Sequence, residues 1–158
     1  MTPRINYTIH TPDLMKRLFE MSQASAKSSL GHTILDLVHI RASQLNGCAF
    51  CLDMHVKEAK LHGERELRLY HTTVWRESPL FSDKERAALE WTEAVTTLAE
   101  PMTDALFERV RLHLSEAEMA DLTFAIGIIN FWNRLNISSP ATPGSMDAML
   151  GLTAAALT

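Results

Sequence analysis

The sequence predicts an all-α helical bundle. Three observations carry this: apolar residues recur at three- and four-residue spacing along most of the chain, no stretch alternates with the period of a strand, and two capping boxes open long apolar runs. At 158 residues the chain has the length of one ordinary domain, and its 46% hydrophobic and 22% charged content is globular rather than disordered.

The first helix is expected at Thr11-Pro12-Asp13, a polar cap followed by proline at the first helical position, with Leu14, Leu18 and Met21 at helical spacing. The second runs from about Gly31 to Leu45. Its apolar residues Ile34, Leu35, Leu37, Val38, Ile40 and Ala42 wrap most of the way around, as in a buried helix. Asn46-Gly47 stops it, because both residues tolerate the left-handed conformation. A third helix begins at Cys48 and reaches about His62, and another spans roughly Glu64 to Trp75 before Ser78-Pro79 breaks the chain. Ser82-Asp83-Lys84-Glu85 opens a helix through Leu89, Trp91, Val95 and Leu98. A shorter one lies around Asp104 to Leu114, and Ser115-Glu116-Ala117-Glu118 leads into the apolar helix Leu122 to Leu135. Residues 1–137 are therefore expected to form one helical domain. Residues 138–158 are expected as a Pro/Ser-rich linker and a tail, in which Met146 to Leu157 forms an apolar helix or docks on another subunit.

A net charge of −4, a pI near 5.9 and the absence of any basic run exclude a nucleic-acid footprint. MTPRINYTIH lacks the apolar core of a secretory signal, and no run of about eighteen apolar residues is present, so the expected location is the cytoplasm with no membrane contact. Only two cysteines occur, as Cys48-Ala49-Phe50-Cys51. In a reducing compartment so close a pair is more often catalytic or metal-binding than a structural staple.

Their placement favours reactivity. Cys48 falls where the new helix starts, beside unpaired backbone N–H groups and a partial positive charge that stabilise a thiolate. Cys51 lies three residues on, and His55 four residues beyond it on the same helix face, where an imidazole can take a thiol proton or stabilise the thiolate. Inert core thiols, or a zinc site with His55 as third ligand, are the alternatives. Zinc would want a fourth ligand, and no second Cys-x-x-Cys or His pair offers one, so no metal or cofactor is expected. His39, His62, His71 and His113 lack a partner at motif spacing and read as surface or interface residues.

The run Leu35-Asp36-Leu37-Val38-His39-Ile40-Arg41-Ala42-Ser43-Gln44-Leu45-Asn46-Gly47-Cys48-Ala49-Phe50-Cys51-Leu52-Asp53-Met54-His55 resembles the signature of the alkylhydroperoxidase D-like proteins of the carboxymuconolactone decarboxylase superfamily. Shorter matches follow at Arg68-Leu69-Tyr70, Trp75-Arg76-Glu77, residues 81–89 and residues 130–135, so the likeness covers roughly residues 13 to 137. The resemblance implies an all-helical subunit that assembles through its helices into dimers, trimers or hexamers. It implies peroxiredoxin-type activity, the reduction of hydroperoxides with electrons supplied by a thiol or lipoyl-type reductant protein. It further implies that Cys51 attacks the peroxide, Cys48 resolves it, and a carboxylate twelve residues before the first cysteine reaches the histidine through a proton relay. That position is Asp36 where the family has glutamate, one methylene longer. Read without the resemblance, Asp36 forms a surface ion pair with His32 or His39. The rival functions are a lyase like the lactone decarboxylases of this superfamily and a non-catalytic metal- or redox-sensing module.

Overall fold

A computed structural model describes residues 4–99 and 101–155. Nine α-helices occur among them: α1 (Tyr7–His10), α2 (Pro12–Ser25), α3 (Gly31–Asn46), α4 (Ala49–Leu61), α5 (Glu66–His71), α6 (Asp83–Thr97), α7 (Asp104–Arg111), α8 (Glu116–Ser138) and α9 (Asp147–Leu150). Two 3-10 turns, Thr72–Val74 and Leu152–Ala155, complete the list, and no strand occurs among the described residues.

Helix α3 is the axis of the bundle, packed between α4, α6 and α8. Its near-continuous apolar surface explains this, because each side meets a different partner. Ile34, Leu35 and Val38 join Ala88 and Trp91 of α6 and Met119, Leu122 and Ile126 of α8 in the main core. Leu37 meets Trp75, Phe81 and Leu89, and Ile40 meets Ala59 and Leu69. Burial of this kind stabilises by roughly 25 cal/mol per Å² of apolar surface, so the axial helix contributes more per residue than the peripheral ones.

Several expectations are corrected. On α2 only Leu18 is buried, while Leu14 and Met21 face outward. The segment 64–75 is not one helix but α5 followed by a 3-10 turn. Leu98 lies beyond α6, exposed and left-handed with φ 47°, instead of on its apolar face. Met146 to Leu157 is not one helix: Gly151, with φ 72°, separates α9 from the last 3-10 turn, and Leu157 lies outside the described residues. That turn packs on α4 of its own chain. No helix of the described residues is long and apolar enough to cross a membrane.

Candidate active site

The site is built where α3 ends and α4 begins. Gly47 adopts φ 69°, which a residue with a Cβ strains to reach, and the chain closes with Gly47 N–H donating to Gln44 O (3.2 Å) and Cys48 N–H to Ser43 O (3.0 Å). Asn46 pins this turn from the side. Its Nδ2 lies 2.9 Å from Asn130 Oδ1 and 2.8 Å from Asn133 Oδ1, both on α8, and Asn133 Nδ2 donates in turn to Ser43 Oγ at 3.1 Å. A partly buried amide network of this sort favours one geometry, because a slip would leave polar groups unpaired.

Cys48 is the N-cap of α4, extended at φ −85° and ψ 92°, and its sulfur accepts from Cys51 N–H at 3.4 Å. The two cysteines are joined as a disulfide, with Cα atoms 5.4 Å apart. They are sealed from solvent, Cys48 being 3% and Cys51 1% exposed. Phe50 clusters with them, and Met54 of α4 with Ala141 and Met146 of the tail packs against that cluster.

His55 is buried one helical turn past Cys51. Its Nδ1 lies 2.6 Å from Glu58 Oε2, and its buried Nε2 has no hydrogen-bond partner. A carboxylate at Nδ1 selects the tautomer that carries hydrogen there, which leaves Nε2 as the lone pair able to accept a proton. Burial works against the Glu58 charge, but the hydrogen bond from His55, with the charges of His55 and His62, outweighs it and holds the carboxyl below its ordinary range. The His39 ring lies against that of His55, tilted by 39° with centroids 4.6 Å apart. Burial, and secondarily the charge of His55, push His39 well below the usual imidazole value, so this neighbouring ring is neutral.

Asp36 is buried in α3, and its Oδ2 is 2.8 Å from His62 Nδ1. Its hydrogen-bonding partner is therefore neither His55 nor the expected His32 or His39, and the carboxylate bonded to His55 is Glu58 instead. The cause is reach: Glu58 sits three residues along the same helix face, whereas Asp36 meets α4 at its far end. His62, read from the sequence as unpartnered, also stacks on His32 at 4.5 Å. Asp36 and His62 line a surface cavity of about 390 Å³ with Thr33, Arg65 and Glu85. Burial raises the Asp36 carboxyl, and the hydrogen bond from His62 offsets part of that rise. Among the described residues no group of three or more His, Cys, Asp or Glu side chains could hold a metal ion.

The model of the carboxymuconolactone decarboxylase family matches residues 12–94, which include Asp36, both cysteines, His55 and Glu58. The chain belongs to this family. It is 40% identical to the uncharacterized protein YdfG of Bacillus subtilis over 87% of this chain and 95% of that protein. Among solved structures, a protein of unknown function from Agrobacterium tumefaciens, suggested to be an antioxidant defence protein AhpD, is 42% identical. It superposes with a TM-score of 0.84 over 89% of this chain and 97% of its own. The debrominase Bmp8, solved with 2,3,4-tribromopyrrole, shares the fold at a TM-score of 0.77 and 17% identity, covering 93% of this chain and 76% of its own. A shared fold does not fix a reaction, so the chemistry must be argued from the side chains.

Glu58 and the tail were not among the residues singled out from sequence. Glu58 carried a usable signal, since a carboxylate three residues after a helical histidine shares its face. The approach of Ala141 and Met146 to the cysteines carried none.

Proposed function

We propose that the protein is a thiol-dependent hydroperoxide reductase that cycles Cys48 and Cys51 between dithiol and disulfide. The observation that carries this reading is a bonded sulfur pair at the start of α4 with a buried imidazole one turn on, whose Nδ1 is held by a carboxylate and whose Nε2 is unpartnered.

In the reduced protein Nε2 of His55 takes the thiol proton of Cys51, and Glu58 steadies the resulting imidazolium. The Cys51 thiolate attacks the terminal oxygen of ROOH. An S–O bond forms, the O–O bond breaks, and the departing alkoxide receives the proton from His55 and leaves as ROH. The Cys48 thiolate, favoured at the N-cap by the Cys51 N–H and the helix terminus, then attacks the Cys51 sulfenic acid. An S–S bond forms, the S–O bond breaks, and the departing hydroxide takes up the proton that the Cys48 thiol released, leaving as water. An external dithiol, a thiol protein or a lipoyl group, restores the pair by exchange. In this reading Asp36 acts on the proton's path to solvent through His62, and assembly into a homo-oligomer belongs to the same family pattern.

The test is mass spectrometry of the reduced protein before and after one equivalent of alkyl hydroperoxide, alongside steady-state peroxide consumption. Wild type is expected to gain the Cys48–Cys51 disulfide, and Cys51→Ser and His55→Ala to lose consumption by at least about a hundredfold, the usual scale of a nucleophile or its base. Undiminished consumption by Cys51→Ser would remove the assignment, and activity insensitive to thiol alkylation would point to a lyase.

A further inference from the structure

Thiol–disulfide exchange requires the sulfur of the attacking thiol to touch a sulfur of the disulfide. In this protein both sulfurs are closed off, and part of the closure is not bundle. It is the segment 139–155, whose Ala141 and Met146 rest on the cluster of Cys48, Phe50 and Cys51. Farther along, Leu152 and Ala155 are buried, and their 3-10 turn packs against α4.

This segment is fastened to α4 by charge. Lys57 Nζ sits between two carboxylates, 2.9 Å from Asp53 Oδ2 and 2.7 Å from Asp147 Oδ2. The same Asp53 oxygen accepts from Gly144 N–H at 2.9 Å. Lys57 is buried, and its two carboxylate hydrogen bonds, Asp147 first, raise it above the ordinary lysine value. The regular structure in the segment is only α9 and one 3-10 turn, four residues each, and none of its residues belongs to the core clusters around α3.

We propose that residues 139–155 form a strap that opens and closes over Cys48 and Cys51, held shut by the Asp53–Lys57–Asp147 clasp, and that its opening controls which thiols reach the pair. A small hydroperoxide needs a brief, narrow opening, whereas a protein-borne dithiol needs the strap lifted. The strap therefore governs the reductive half of the cycle more than the oxidative half. Its role in turnover rests on the peroxidase reading, but the gate can be measured without any peroxide.

The reduced protein is pulsed with N-ethylmaleimide and labelling of Cys48 and Cys51 is followed by mass spectrometry, with backbone hydrogen exchange recorded in parallel. Asp147→Asn loosens the clasp while leaving Lys57 paired with Asp53. It is expected to label about three- to tenfold faster than wild type, the scale on which losing one partly buried charge pair shifts a local opening equilibrium. Glu90→Gln, which breaks the remote pair with Arg109, is the control and is expected to label at the wild-type rate. Faster exchange should be confined to residues 140–155 and the first turn of α4. Equal labelling of Asp147→Asn and wild type overturns the strap, as does faster labelling accompanied by faster exchange throughout α3 and α8. A protein that gates its cysteines yet consumes no hydroperoxide would retain the strap and lose only the peroxidase reading.

Discussion

At the scale of single residues, the charge on Glu58 is the feature most exposed to test. A glutamine in its place can still hydrogen-bond the ring but cannot neutralise an imidazolium. Peroxide consumption by Glu58→Gln is expected to fall about tenfold, the lower range of what positioned acid–base partners contribute, with thermal stability little changed because the side chain reaches solvent. Asp36 is expected to behave in the opposite way. Its carboxyl is raised above the ordinary 3.8, so its stabilising contribution is complete below that value and is lost as pH rises through the raised one. Asp36→Asn removes that loss. Melting temperatures of the two proteins between pH 3 and 7 should diverge in favour of the variant as pH increases, and divergence in favour of wild type would show that the His62 pair outweighs burial.

At the scale of elements, much of the fold was legible because its signals are local. Both capping boxes form as the sequence spells them, with Ser82 accepting from Glu85 N–H and Ser115 from Glu118 N–H, and each glutamate reaching back to the cap. Glu118 is drawn down to about 2, first by its hydrogen bond with Lys84 and then by Ser115 N–H. Ser115→Ala should cost about 1 kcal/mol in chemical denaturation, the usual worth of a side-chain cap. The Asn46-Gly47 stop and the start of α4 at the cysteines were equally local. What escaped was long-range: Asp36 and His62 are 26 positions apart, and Lys57 and Asp147 90 apart. Nothing in periodicity or spacing brings such residues together. On α2, Leu14 and Met21 have the spacing of a buried stripe and yet face outward, since the period locates an apolar side without saying what covers it.

At the scale of the whole molecule, an exposed side of α8 bears on the homo-oligomer proposed above. Phe124 and Phe131, two turns apart, are 66% and 53% exposed, with Gly127 between them offering close approach. Apolar residues this large and this near one another are usually covered in an oligomer. Light scattering should therefore return a mass above the 17.7 kDa of one chain, and Phe131→Asp should lower it. A monomeric wild type would contradict that expectation.

One serine ties the start of the covering segment to the residues ahead of α1. Ser139 Oγ accepts from Ile5 N–H at 2.8 Å and donates to Ile5 O at 3.0 Å, while Tyr7 Oη meets Ser138 Oγ at 2.8 Å. The residues ahead of α1 are thus bonded to the point where the covering segment leaves α8. Proteolytic trimming through residue 7, or a bulky fusion pulling on those bonds, would retune how readily the sulfurs meet a large partner without altering any group near them.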